Sequence, residues 1–537
     1  MTVSEQVWWR RGTIYEIYPR SFQDSDGDGV GDLAGIEQRL DHLVRLGVDA
    51  LWIAPFFPSP MADFGYDVAD YCAVDPLFGS MAEFDRLLAA AHGRGLKVLT
   101  DFVLNHTSEA HPWFAESRAS RANPKRDWYI WRDPAPGGGP PNNWLSIFGG
   151  SAWRLDAPTG QYFLHSFLDC QPDLNWRNPE VEAAMFDVLR FWMDRGVDGF
   201  RLDALWMIAK DDQFRDNPPD PTWHEGMIPY LVNTPVYSGD RPEALDICRR
   251  MRALADSYPG DRVLIGETYL PIKRLVTYYG EHGDGLHLPF NFKLIQTRWD
   301  AAEIDAIIRR YDGALPPGAQ PNWVLGNHDN PRTASRVGGL DAARAAAVLL
   351  LTLRGTPTLY YGEELGLADV DIPPARERDP RAVTEPGLGR DPERTPMPWN
   401  AEPNAGFSAG EPWLPLGLDW AANNVATQDA DPDSTLNLHR RLLALRRAEP
   451  ALHAGRFTPL GVQGGAMAYL RETDGGRGFL VAINLSGAPA RYESPAATAG
   501  EVVLGTLRSR EGEAVPGVIE LGPNEAMVVA LSPGAVR

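Results

Sequence analysis

From residue 13 onward, short apolar runs alternate with stretches whose apolar positions recur every three or four residues. The first run, residues 14–18, opens into a polar loop. Leu33, Ile36, Leu40, Leu43 and Leu46 then fall at the spacing of one helical face. Residues 50–53 read as the next buried strand, 81–94 as a helix and 97–103 as a third strand. Further strands are expected at 199–202, 263–267, 286–290, 323–325 and 358–361, with helical patterns between them, clearest over 181–195 and 342–353. Eight strand–helix units predict an α/β fold, a closed parallel (β/α)8 TIM barrel.

Two interruptions modify that plan. Residues 105–176, carrying Pro-Gly-Gly-Gly-Pro-Pro at 136–141, are too long for a bare connection and read as an inserted subdomain after the third strand. A second Pro-rich excursion, about 369–424, follows the eighth strand. After a helix at 436–447, short alternating strands at 468–470, 479–483 and 526–531, without clear helices, predict a C-terminal all-β sandwich domain. The expected division is a barrel from 1–104 and 177–450, an insert at 105–176 and a terminal domain at 451–537.

The length of 537 residues fits two or three domains. A net charge of −21 repels nucleic acid and anionic membrane surfaces, so polyanionic partners are not expected. The 17 Trp and 17 Tyr residues suit stacking on sugar rings. No apolar run has the length of a membrane span, and residues 1–11 lack the apolar stretch of a signal peptide. Cys72, Cys170 and Cys248 are odd in number, match no metal spacing and read as reduced thiols, which fits the cytoplasm. Monomer and homodimer both stay open.

Chemistry in a parallel barrel sits at the carboxyl ends of its strands. There the chain places Asp101, Asn105 and His106 in DFVLNH, Arg201 and Asp203 in GFRLDAL, Glu267 in IGET, and His328 and Asp329 in GNHDN. The loop after the second strand adds Asp63, Tyr66 and Asp67 in DFGYD. One such carboxylate is ordinarily a loop cap or a salt-bridge partner. Several on one rim repel one another and raise at least one pKa, an arrangement that glycoside cleavage uses.

In this order the four motifs resemble the signature regions of glycoside hydrolase family 13, the α-amylase superfamily. QPDLN, at 171–175, resembles the further signature of its oligo-1,6-glucosidase and α-glucosidase branch. The resemblance implies a retaining double displacement with Asp203 as nucleophile, Glu267 as general acid/base and Asp329 gripping the sugar in the transition state. It implies that Arg201 holds Asp203 ionised, that His106 and His328 donate to sugar hydroxyls and that Tyr66 stacks on the ring, with Phe148, Phe167 and Arg332 completing the sugar contacts. Asp63 and one arginine of GRDPERTPMPW, Arg394 in preference to Arg390, resemble the pair that closes the pocket behind the terminal glucose. Exo-action on a small oligosaccharide follows, and Ala204 after the nucleophile resembles the α-1,4 variant of a linkage position.

The loop after the first strand spaces Asp24, Asp26, Asp28, Val30 and Asp32 like the first part of an EF-hand, with Gly29 at its sixth position. Gly35 stands where a bidentate Glu belongs. The related branch carries a cation in this loop, so structural Ca2+ or Mg2+ is expected. Two other readings compete with the hydrolase. One is a transglucosylase, trehalose synthase or sucrose-active enzyme using the same glucosyl-enzyme. The other is a non-catalytic relative resembling the ectodomain chains of amino-acid transporters, which needs an anchor and usually lacks part of the catalytic set.

Overall fold

The structure is a computed structural model that describes residues 7–225, 227–385, 387–494 and 500–531. Eight parallel strands close a barrel: β1 (Ile14–Ile17), β2 (Ala50–Ile53), β3 (Lys97–Val103), β4 (Gly199–Asp203), β5 (Val263–Gly266), β6 (Leu288–Asn291), β7 (Asn322–Val324) and β8 (Thr356–Tyr360). Each lies within two residues of its expected limits, because runs this apolar have nowhere to go but between a barrel interior and a helix layer. The alternation of side chains separates two cores. Ile14, Ala50, Trp52, Leu99, Val263, Ile265, Leu288, Phe290 and Val324 fill the interior. Their neighbours Tyr15, Ile17, Leu51, Ile53, Val98, Phe200, Leu202 and Leu264 pack outward into the core shared with the helices.

The same alternation carries charge inward near the top. Leu99 and Gly199 pair across β3 and β4, then Asp101 with Arg201, then Val103 with Asp203. Glu16 holds the equivalent inward position on β1, between Tyr15 and Ile17. The barrel is thus apolar below and ionic above.

Between β3 and the helix Pro179–Arg195, the chain forms a helix, Pro112–Ala119, and a three-stranded sheet of Trp131–Arg132, Gln161–Leu164 and Trp153–Asp156. Beyond the helix Thr435–Ala448, a six-stranded sheet faces a two-stranded one, Ala490–Glu493 with Val518–Leu521. Among the described residues, two short helical turns, Pro450–His453 and Arg508–Arg510, interrupt this region, where no clear helices were expected. Met467, Tyr469, Val481 and Ile483 face the barrel core, while Ala468, Leu470, Leu480 and Ala482 form the sandwich interior. Two buried cations stitch the junction. Arg446 donates to the carbonyls of Leu351, Leu353 and Leu452, and Arg471 to those of Thr352 and Gly455. Among the described residues no helix is long and apolar enough to cross a membrane.

At the opposite, amino-terminal face of the barrel, Asp198 ties three strands together. It accepts from Val98 N at 3.0 Å, Lys97 Nζ at 2.9 Å, Arg262 Nη1 at 3.0 Å and the His92 ring at 2.6 Å. Burial pushes its carboxyl up, but the bonds from His92, Val98 and Lys97 outweigh burial and leave it below its ordinary value. A depressed folded-state pKa gives stability that is present at neutral pH and lost as pH falls through that value. Asp198→Asn should therefore cost about 1.5–3 kcal/mol of unfolding free energy at neutral pH, and less in acid. Denaturant titrations of both proteins at the two pH values check this, and equal neutral midpoints would dismiss the role.

Candidate active site

The rim of the barrel gathers its acids around one guanidinium. Arg201 is 1 % exposed. Its Nη1 lies 2.7 Å from Asp203 Oδ1 and 2.8 Å from Asp101 Oδ1, and its Nη2 is 2.9 Å from Glu267 Oε1. Trp52 fixes the other oxygen of Asp101 through its indole N–H at 3.0 Å. The second oxygen of Glu267 accepts the backbone N–H of Ala204 at 2.8 Å. That N–H points upward because Ala204 turns left-handed, with φ of 44°, just after β4 ends. Such strain in a non-glycine residue costs about 1–3 kcal/mol and persists where surrounding structure enforces it.

Burial pushes both Asp203 and Glu267 up, Arg201 pulls each down, and the remaining acids push them up again. One positive charge cannot neutralise three buried carboxylates. The pair of Asp203 and Glu267 therefore holds a proton above the usual carboxylate range.

Asp329, after β7, has the opposite environment. Its Oδ1 accepts from Arg394 at 2.9 Å and Arg390 at 3.1 Å, and its Oδ2 lies 3.3 Å from His328 Nε2. Burial pushes its carboxyl up, and His328, Arg390 and Arg394 more than reverse this, holding it far below the ordinary carboxylate range. Three rim carboxyls thus divide into two that can exchange a proton and one that stays ionised.

The wall behind them corrects one expectation. Arg390, not Arg394, faces Asp63, with Nη2 at 2.8 Å from Asp63 Oδ1. Arg390 is also gripped along its other edge by both oxygens of Asp379, each at 2.8 Å. Arg394 turns inward instead and donates to the His328 carbonyl at 2.7 Å as well as to Asp329. The two arginines flank the turn Asp391–Glu393 and leave it in different directions. Spacing alone did not reveal Asp379, which decides between them.

Gln171 reaches Asp63 at 3.1 Å and His106 at 3.2 Å, joining the insert to the wall. His106 packs against Phe167, and Phe167 against Phe148, with ring centroids 4.9 and 5.8 Å apart. Arg390 lies over Phe148 at 5.2 Å. Tyr66 stacks on His328 at 5.3 Å with an interplanar angle of 14°. Arg332 is not brought into this group: it donates to the Tyr361 carbonyl at 2.9 Å and lies over the Tyr360 and Tyr361 rings. It is the residue before the helix Thr333–Val337, and its contacts fall on the end of β8. Also unexpected is a buried ion pair, Lys210 with Asp173 at 2.5 Å, which pins the loop after β4 to the insert.

In the loop after β1, carboxylate oxygens of Asp24, Asp26 and Asp28 lie within 4.8 Å of one another. Asp32 stands outside this trio. Its oxygens accept from Ser25 N at 2.8 Å and Gly35 N at 2.6 Å, capping the helix Leu33–Leu46. Val30 donates its own N–H to Asp28 at 2.8 Å.

The whole arrangement has close relatives. Residues 16–455 match the family model described as "Alpha amylase, catalytic domain". The chain is 44% identical, over 91% of its length and 92% of the relative's, to a "Probable alpha-glucosidase" of Rhizobium meliloti (strain 1021). It is 38% identical to an "Oligo-1,6-glucosidase" of Heyndrickxia coagulans, over 91% of this chain and 94% of that one. The crystal structure of the alpha-glucosyl transfer enzyme XgtA superposes with a TM-score of 0.93 at 44% identity, covering 98% of this chain and all 100% of that one. With a closed barrel, an inserted subdomain and rim acids in the family's order, the chain is a glycoside hydrolase and belongs to the α-amylase family, glycoside hydrolase family 13, in its α-glucosidase branch.

Proposed function

We propose that the chain is a retaining, exo-acting α-glucosidase that releases terminal α-linked glucose from short oligosaccharides. The observation that carries the exo reading is the buried Asp63–Arg390 pair, locked by Asp379 and Gln171 behind the rim acids. A charged wall there would stop a chain from extending past the terminal sugar.

In this reading Asp203 attacks the anomeric carbon while Glu267 gives its proton to the departing glycosidic oxygen, leaving a glucosyl ester on Asp203. Esterification removes one of the rim's negative charges, so a carboxylate at Glu267 becomes easier to hold. The glutamate, now a carboxylate, takes a proton from the water that opens the ester, and both residues return to their starting states. Asp329, held ionised by two guanidiniums, faces the positive charge that builds on the ring at each transition state. Ala204 after the nucleophile resembles the α-1,4 variant of the linkage position, which supports α-1,4 over α-1,6 linkage.

A second reading has its own support: the related solved structure is named as a glucosyl transfer enzyme. A sugar in place of water would resolve the same ester. The trio of Asp24, Asp26 and Asp28 would hold a structural Ca2+ or Mg2+, whose charge offsets three carboxylates that otherwise repel.

Asp203→Ala and Glu267→Gln should each abolish turnover without lowering the melting temperature, and either variant within tenfold of wild type would refute the assignment. Wild-type kcat/KM should follow a bell in pH. Its alkaline limb, set by loss of the Glu267 proton, should lie above the ordinary glutamate range, because burial raises that group. Digestion of maltoheptaose should release glucose from the first time point, and new disaccharides in excess of glucose would favour the transferase. Asp63→Ala should lower kcat/KM for every substrate by about ten- to a hundredfold, the worth of one charged sugar contact of about 1.5–3 kcal/mol. It should leave the fold intact, since Arg390 keeps Asp379; unchanged kinetics would remove Asp63 from the pocket. Excess EDTA should lower the melting temperature, and Asp26→Asn with Asp28→Asn should do the same without it; no shift in either denies the cation.

A further inference from the structure

Glu16 is fully buried on β1 and has no role in the chemistry above. Its Oε1 lies 2.5 Å from His328 Nδ1, and its Oε2 has no hydrogen-bond partner among the described residues. The His328 ring is held between two tyrosines, Tyr18 at 5.7 Å and Tyr66 at 5.3 Å, both nearly parallel to it. The ring cannot turn over without breaking both stacks, so each nitrogen keeps its neighbour.

Counting hydrogens along this chain leaves His328 Nε2 protonated in every consistent arrangement. Asp101 accepts on both oxygens, from Arg201 at 2.8 Å and from Trp52 at 3.0 Å. The Tyr66 hydroxyl therefore donates its single hydrogen to Asp101, at 3.2 Å, and turns its oxygen toward His328 Nε2 at 2.8 Å. That nitrogen must carry a hydrogen, and the same edge faces Asp329 Oδ2 at 3.3 Å. Burial lowers the His328 ring to about 3, with Asp329 pulling it up and Arg394, Arg201 and Arg390 pushing it down. A neutral ring with hydrogen on Nε2 offers Nδ1 only as an acceptor, so the hydrogen between Nδ1 and Glu16 belongs to the glutamate.

The other groups facing Glu16 agree. Burial pushes its carboxyl well up, Arg201 on β4 pulls it down, and Asp329 after β7 and Asp101 on β3 push it up again. Tyr360 on β8, pushed up chiefly by burial and then by Tyr361, stays a neutral hydroxyl and brings no charge to Glu16. An ionised glutamate here would bury a charged oxygen with no donor, whereas a carboxylic acid leaves only a weak acceptor unpaired.

We propose that Glu16 is a positioning residue: as a neutral carboxylic acid it donates to His328 Nδ1, fixing the ring hydrogen on Nε2, where it faces Asp329 and the bound sugar. The sugar's part in this rests on the glucosidase reading; the hydrogen's location does not. With the opposite tautomer, a lone pair would face the Asp329 carboxylate, and the site would lose a donor where it needs one.

The test combines a spectrum with kinetics. In protein labelled with 15N-histidine, the His328 signal, assigned by its loss in His328→Asn, should report a neutral ring protonated at Nε2 at neutral pH. Glu16→Gln, whose amide N–H can replace the acid's hydrogen, should keep that tautomer and stay within about tenfold of wild-type kcat. Glu16→Met, similar in shape but without a donor, should shift the ring toward Nδ1–H and lower kcat about ten- to a hundredfold, with a smaller change in KM, as for other residues that orient a histidine. Should Glu16→Met fail to fold, the wild-type and Glu16→Gln spectra still decide. A wild-type ring protonated at Nδ1, or a Glu16→Met protein with wild-type tautomer and kcat, overturns the proposal. Failure of the glucosidase reading would instead alter the products and leave the ring signal as described.

Discussion

Asp101, Asp203 and Glu267 surround a single guanidinium inside a barrel that is otherwise apolar, and the rim could not hold its acids without that cation. Unpaired charges at such separations repel strongly in a low dielectric. An arginine does not escape by losing its proton, so it stays a fixed positive centre. It is fixed in space too. The register of β3 and β4 sets Asp101 beside Arg201 and lifts Asp203 one inward position higher, next to the turn that aims the Ala204 N–H at Glu267. Backbone pairing of two strands therefore places four of the groups on which the chemistry depends.

Above this centre the charges alternate outward. Asp329 is met by Arg394 and Arg390, Arg390 by Asp63 and Asp379, and Asp63 by Gln171. Each ion has a partner on more than one side, so no single contact leaves a naked buried charge when it breaks. The inner acids share too little positive charge and keep a proton in motion; the outer ones have enough and stay ionised. Different local ratios of arginine to carboxylate thus separate acid–base chemistry from sugar binding within one pocket.

The barrel was legible because its strands are short apolar runs and its helices carry a regular apolar face, both of which burial demands. The rim acids were legible because Asp203, Glu267 and Asp329 sit in compact motifs at strand ends. What distinguishes Arg390 from Arg394 was not, since each flanks the same turn and the deciding partner, Asp379, comes from a loop with no pattern of its own. Nearness in sequence to Asp329 likewise did not reveal that Arg332 donates to the Tyr361 carbonyl. Glu16 also carries a signal in the sequence. A lone charge in the buried strand IYEI has no reason to be there unless something meets it.

The partners that close this pocket are distant along the chain: Asp63 and Arg390 are 327 residues apart, Glu16 and His328 are 312 apart. Loops so long are entropically slow to close, and the β1–β8 pairing that shuts the barrel joins the two most distant strands of the set. A nascent chain can thus bury much of its apolar surface and still hold half a pocket. The pocket is complete only when the loops after β8 bring Arg390 and Arg394 to the rim, so activity reports closure of the barrel.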